Sequence, residues 1–224
     1  MSQENYALQK PGGYIDNLVL KKRLAMYKIF LKEFPDEQCD SILDVGVTAE
    51  KNAISANFFE ENFPSKNKII ALSNQDATFL EKIYTGLKFQ LGDAKNIPFD
   101  NNSIDVVFSS AVIEHVGSLE EQTKMISECY RVCKKGIFIT TPNRWFSVDP
   151  HTSLPFIHWL PKQWHRKILK KMRLNFYSLE KNLNMLNSME IQKICHKLGI
   201  KNIIIKKIFT LGHVSNLILI ARKQ

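Results

Sequence analysis

The sequence predicts an α/β fold: a mostly parallel sheet with helices on both faces and an antiparallel hairpin at its C-terminal edge. Two observations carry this. From Ser41 to Thr141 short apolar runs alternate with amphipathic stretches, the pattern of βαβ units on a parallel sheet. Near the C-terminus, "IKNIIIKKIFTLGHVSNLILIAR" sets two β-forming runs around a Leu211-Gly212-His213 turn, which reads as a hairpin. A hairpin can join a parallel sheet only at its edge.

The elements follow in order. Residues 15–34 space Leu18, Leu20, Leu24, Met26, Ile29, Phe30 and Leu31 among lysines as a helical stripe that stops before Pro35. After it come strand "SILDV", a helix over 53–62, strand "KIIAL", a helix over 76–84 and strand "LKFQL". Strand "IDVVFS", a helix over 119–132, strand "GIFITT" and a helix over 188–198 complete the series before the hairpin. Residues 142–187 are too long for a plain connection, so they are expected to cover a site. They hold Trp145, Trp159 and Trp164, three histidines, and a basic run between residues 162 and 173. The chain therefore reads as one domain over 1–224, with a helical segment 1–38 and a lid-like insertion 142–187, a size at which one core folds without staples.

Composition narrows the class. The fractions of 44% hydrophobic and 24% charged residues suit a soluble globular protein. Cys39, Cys129, Cys133 and Cys195 have neither CxxC spacing nor scaffold density, so disulfides and zinc are not expected and a reduced, cytoplasmic chain is. The start "MSQENYALQKPGGY" lacks the apolar core of a signal peptide, and no apolar run reaches bilayer length. A net charge of +9 favours anionic partners.

In an open α/β sheet ligands bind beyond the carboxyl ends of the strands. Those ends carry Asp44, Gly46, Val47 and Thr48; then Ser73, Asn74, Gln75 and Asp76; then "GDA" at 92–94; then "SSAVIEHV" at 109–116; then "TPN" at 141–143. This ordered set resembles the class I S-adenosylmethionine-dependent methyltransferases, above all the type 11 methyltransferase domain, across residues 41–143. "LGDAKNIPFDNNSIDVVFSSAVIEHV" is its most diagnostic piece. The resemblance implies a Rossmann-like seven-stranded sheet, S-adenosyl-L-methionine as cofactor, and methyl transfer.

The resemblance also implies roles. Gly46 would let the backbone approach the cofactor, Asp44 would help hold its ammonium group, and the amides of Val47 and Thr48 would meet its carboxylate. The acid that grips the ribose is missing near Ser73, leaving Asp76 or the amides of Asn74 and Gln75. Asp93 and Ala94 would take the adenine, and Ser109 and Ser110 the methionine arm. The binding loop is expected to extend toward Lys51 and Asn57, and Tyr6, Tyr14 and the turn at 11–13 to close over the cofactor. His115 is the candidate base, because imidazole titrates near neutrality; the bland reading is a structural histidine at a helix start. Trp145, His151, His158 and Trp159 offer rings to an acceptor, with a saccharide favoured, and lysines beside Trp164 suit the inner face of an anionic membrane. No metal site is expected, because no histidine lies at compact ligand spacing from acids.

Three further readings stand beside this one. The charge admits RNA as the acceptor, although "SSAVIEHV" is not the Pro-Pro-aromatic motif used on exocyclic amines. A lone glycine at 46 and the missing acid admit a scaffold that has lost the reaction. A nicotinamide dehydrogenase is disfavoured, since GxGxxG is absent.

Overall fold

A computed structural model of the chain describes residues 14–49 and 56–223. The strands are β1 (Ile42–Val45), β2 (Ile69–Ser73), β3 (Lys88–Leu91), β4 (Ile104–Ser110), β5 (Cys133–Pro142), β6 (Ile203–Thr210) and β7 (His213–Arg222). They form one sheet in the order β3-β2-β1-β4-β5-β7-β6. The first five are parallel, β7 runs antiparallel to β5, and β6 closes the edge against β7. Strand order reverses between β1 and β4, the place where such sheets open a crevice.

Helices α1 (Tyr14–Glu33), α2 (Phe58–Asn62), α3 (Phe79–Ile83), α4 (Leu119–Val132), α5 (Lys162–Lys171) and α6 (Ser188–Lys197) complete the described elements. The α2 helix is the described part of the stretch expected over 53–62, and α3 is shorter than the 76–84 expected. Both α4 and α6 open on a capping box, Ser118 with Glu121 and Asn187 with Glu190, which satisfies the first free amides.

Because side chains alternate along a strand, each strand feeds two cores. Leu43, Val45, Val107 and Ile137 pack with Met125 and Ile194 beneath α4 and α6. Ile42, Val106, Phe108 and Phe138 pack with Phe30, Phe59 and Phe63 on the other face. Phe30 is the hub there, its ring 5.2 Å from Phe108, 5.3 Å from Phe59 and 5.4 Å from Phe138. The stretch 142–187 carries a small core of its own, Leu169, Tyr177, Leu183 and Met185.

The end of α1 is pinned to the hairpin through Glu33, 2.5 Å from Lys206 Nζ and 2.9 Å from Arg222 Nη2. Hydrogen bonds from Lys206 and Arg222 lower its carboxyl below the ordinary 4.5. A depressed folded value gives stability that is present above the unfolded value and lost as pH falls through the folded one. Both cations are over a third exposed, so Glu33→Gln should cost about 0.5–1 kcal/mol at pH 7. Urea unfolding should show that difference shrinking below pH 4.5.

The hairpin turn is Leu211-Gly212, both at positive φ, 50° and 80°, as a two-residue type I′ turn demands. Leucine fits this poorly, and its side chain is 93% exposed. Leu211→Asn should therefore stabilise the protein by about 1 kcal/mol, seen as a rise in Tm of about 2–4 °C.

Candidate active site

The turn after β1 is built around Gly46. Its φ is +96°, and a Cβ placed there would sit 2.2 Å from Val112 Cγ2. The glycine is needed because Val112, beyond the end of β4, lies directly over the turn. The amides expected to face a ligand are used inside the chain. Gly46 N and Val47 N both donate to Leu72 O, at 2.8 and 3.3 Å, and Thr48 N donates to Asn57 Oδ1 at 2.9 Å. Asn57 Nδ2 returns a bond to Thr48 O, so Asn57 clamps the turn. The amides of Val47 and Thr48, expected to meet the cofactor's carboxylate, thus make these bonds within the chain. Lys51, Tyr6, the turn at 11–13 and the side chain of Tyr14 lie outside the described residues.

Asp44 is buried at the end of β1. Burial, and then the charge of Glu60, push its carboxyl well above the ordinary range, with Arg23 pulling the other way. Burial likewise raises Glu60, whose Oε1 has no hydrogen-bond partner. Two buried acids share this corner, and a cation docking there would relieve both.

Around the neighbouring strands the expected residues divide. Asn74 is exposed after β2. Asp76 Oδ1 accepts from the amide and the hydroxyl of Thr78, which lower its pKa. Asp93 has a side chain 52% exposed, and its Oδ1 closes a turn onto Lys95 N at 2.9 Å. Ala94 packs on the core beneath α4. Ser109 is fully buried and its hydroxyl donates to Val45 O at 2.8 Å, tying β4 to β1. Ser110 Oγ accepts from Thr140 Oγ1 at 3.1 Å. Ala111 follows at φ +57°, a conformation that alanine adopts only when its surroundings hold it there.

Beyond Ala111 the structure assembles a cluster that sequence spacing hid. Glu114, fully buried, accepts from Thr141 Oγ1 at 3.0 Å through Oε2. Its Oε1 has no hydrogen-bond partner and lies 4.0 Å from His115 Nε2 and 3.8 Å from His151 Nε2. His115 Nδ1 donates to Asn182 O at 2.7 Å, which leaves the lone pair of the neutral ring on Nε2. His151 Nδ1 stands 3.2 Å from Asp149 Oδ1. The expectation that histidines and acids stay apart is therefore overturned, because the loop after β5 folds back onto the end of β4.

Burial, together with the neighbouring His151, pushes His115 down to about 4 against the pull of Glu114. Burial alone would also lower His151, but the nearby carboxylates of Asp149 and Glu114, 3.2 and 3.8 Å away, outweigh this and raise it to about 9. The same close charges overcome burial at the carboxylates, lowering Glu114 and bringing Asp149 to about 2.

The rings of the 142–187 stretch also divide. Trp145 and Trp159 are exposed, with Arg144 5.2 Å over the first. His158 is buried, and its Nε2 bonds Phe146 O at 2.6 Å, bracing the stretch. His151 is likewise withdrawn into the buried cluster. A cleft behind them is lined by Arg144, His158, Lys162, His165 and Arg166. Asn184, absent from the sequence-based site, rivets this stretch to the strand ends. Its N donates to Glu114 O at 2.7 Å, its Nδ2 donates to Gly117 O at 2.9 Å, and its Oδ1 accepts from Lys162 Nζ at 2.8 Å.

Residues 43–140 match the methyltransferase domain family, the stretch from β1 to β5 that carries the turn and the cluster. The fold is the Rossmann-like fold of the S-adenosylmethionine-dependent methyltransferases. Among solved structures, the chain superposes on a possible histamine N-methyltransferase from Thermotoga maritima with a TM-score of 0.59. Identity is 15%, covering 94% of this chain and 92% of that one. The magnesium protoporphyrin IX methyltransferase of Synechocystis, solved with S-adenosylhomocysteine bound, gives 0.57 at 12% identity over 96% and 90%. By sequence it is 31% identical over 130 residues to phosphoethanolamine N-methyltransferase 2 of Caenorhabditis elegans, 56% of this chain and 26% of that protein. A probable S-adenosylmethionine-dependent methyltransferase of Mycolicibacterium smegmatis is 33% identical over 81 residues, 34% of this chain and 30% of that protein. The chain thus spans less than a third of the curated relatives it matches.

Proposed function

We propose that the protein transfers a methyl group from S-adenosylmethionine to an oxygen of a small or lipid-linked, saccharide-type acceptor. The observation that carries this is the pairing of two sites across the crevice at the strand-order reversal. On one side the Gly46 turn and the buried Asp44–Glu60 pair suit a cationic cofactor. On the other, the Glu114–His115–His151 cluster suits a hydroxyl that must lose its proton. The sulfonium brings its own leaving group, so alignment of the acceptor is the main catalytic requirement.

In this reading the cluster, rather than His115 as a free base, serves the acceptor oxygen. A ring held near 4 is a weak base, and its lone pair is turned toward Glu114. Exposed Trp145 and Trp159 provide rings for a sugar face, and Arg144, Lys162 and Arg166 suit a phosphate linkage. The stretch 142–187 acts as the lid. Exposed Phe156, Trp159 and Trp164 beside Lys167 and Lys170 support peripheral contact with an anionic membrane surface. No helix among the described residues is long and apolar enough to cross a membrane. Nitrogen as the accepting atom is the second reading, favoured by the named activity of the Caenorhabditis relative.

Calorimetric titration with S-adenosylmethionine tests the cofactor half. Binding is expected, and at a hundredfold excess over Kd it should stabilise the protein by about 2.7 kcal/mol. Asp93→Ala should weaken it about tenfold, since a hydrogen bond to a polar ligand is worth about 1–1.5 kcal/mol. Unchanged affinity would remove Asp93 from the adenine site. Absence of any heat or thermal shift would leave only the scaffold reading, and salt-sensitive RNA binding would revive the nucleic-acid one. Mass spectrometry of metabolites incubated with methyl-labelled cofactor identifies the acceptor and the atom.

A further inference from the structure

Glu114 Oε1 is an oddity in a well-satisfied interior. It is a carboxylate oxygen on a fully buried residue, without a hydrogen-bond partner, and it faces the Nε2 atoms of two imidazoles. Leaving a buried charged acceptor unmade costs more than about 1–3 kcal/mol, so an arrangement of this kind asks for an occupant. We propose that Glu114, His115 and His151 bind one divalent transition-metal ion.

The donor set is the first argument. One donor atom from each residue lies within 4.8 Å of the other two. Two imidazoles and one carboxylate suit zinc, iron(II), cobalt(II) or manganese(II), and leave open positions on the ion. Ligand distances of about 2.0–2.2 Å require the donors to draw together slightly, with the ion taking the place of the His151 proton.

The second argument is how each donor is held from behind. His115 is anchored at Nδ1 by Asn182 O, His151 at Nδ1 by Asp149 Oδ1, and Glu114 at Oε2 by the Thr141 hydroxyl. Every outer atom is engaged, and the three inner donor atoms lie within 4.8 Å of one another. Outer partners of this kind fix the tautomer and ring orientation of metal-bound histidines. Charge agrees as well: once the ion displaces the His151 proton, Glu114 and Asp149 together balance a divalent ion.

The ion's role rests on the methyl-transfer reading. An open position would take the acceptor hydroxyl and make it more acidic. Its proton leaves to solvent, the oxygen lone pair forms the C–O bond, and the S–CH3 bond breaks with its electron pair staying on sulfur. The products are the methyl ether, neutral S-adenosylhomocysteine and one proton, so charge is conserved.

The experiment uses the untagged full chain, stripped with EDTA and dialysed. It is titrated with Zn2+ by calorimetry and with Co2+ by visible absorption. One equivalent should bind, with ligand-field bands from Co2+. Glu114→Gln and His151→Ala should abolish the bands, while Asp149→Asn, which touches only the outer atom, should weaken binding about 10–100-fold. Circular dichroism checks that each variant is folded. Should His151→Ala fail to fold, the wild-type Co2+ spectrum and the Asp149→Asn shift decide. Absence of a stoichiometric site, or binding that survives His151→Ala and falls with His158→Ala, overturns the proposal. The cofactor titration on metal-free protein separates the two readings. Cofactor binding without a metal site sinks the ion alone, whereas a metal site without cofactor binding sinks the methyltransferase reading and leaves the ion.

Discussion

Gly46→Ala is expected to destabilise the protein by about 2–5 kcal/mol, about 1–2 from the left-handed backbone and about 1–3 from overpacking. The backbone part arises because φ is +96°, and the packing part because the new Cβ would meet Val112 Cγ2 at 2.2 Å. The clash cannot relax cheaply, since Gly46 N is hydrogen-bonded to Leu72 O and β1 lies between β2 and β4. Urea unfolding at constant m measures the loss. The double variant Gly46→Ala/Val112→Ala separates the two causes: it should recover most of the packing part and none of the backbone part. A single variant within about 0.5 kcal/mol of wild type, the range of ordinary surface changes, would refute this account of the turn. S-adenosylmethionine affinity should fall in the single variant, because the turn it deforms is the cofactor side of the crevice.

Asn184→Ala is expected to cost about 2–4 kcal/mol, through the buried partners it abandons. It removes the donor to Gly117 O and the acceptor of Lys162 Nζ, while the main-chain bond to Glu114 O survives. The damage should be local first. Limited proteolysis should cut within residues 145–183 well before the sheet yields, because those residues keep only a small core of their own. Asn184→Asp keeps the Lys162 contact and loses the Nδ2 bonds to Gly117 O and Gln122 Oε1, so it should fall between alanine and wild type. Equal resistance of Asn184→Ala and wild type to protease would show that the stretch is held by packing alone.

The two residues mark different degrees of legibility. Gly46 stood out in the sequence as a lone glycine after "SILDV", and its need is confirmed, though by a neighbour more than sixty positions away rather than by a cofactor in view. Asn184 gave no signal: an asparagine in a polar connection looks like a surface residue until four of its polar neighbours are seen to converge. The hairpin was legible because its two runs are adjacent and β-branched, and a short turn joins them. Ser109 and Val47 stand where ligands bind in such sheets, and within the chain their hydroxyl and amide bond Val45 O and Leu72 O. Which way a hydroxyl or an amide points depends on the strand alongside, and that strand comes from elsewhere in the chain.

By itself the sequence determined the order and type of the elements, the parallel sheet with its antiparallel edge, and the methyltransferase character of residues 41–143, since periodicity and strand-end motifs are local properties. Only the tertiary structure decided that Asp44 meets Glu60, that the turn amides are spent on Leu72 and Asn57, and that His151 and Asp149 reach Glu114 and His115. These depend on how the stretch after β5 folds back over β4. A buried polar atom can be recognised as lacking a partner only when every neighbour that might supply one is in place.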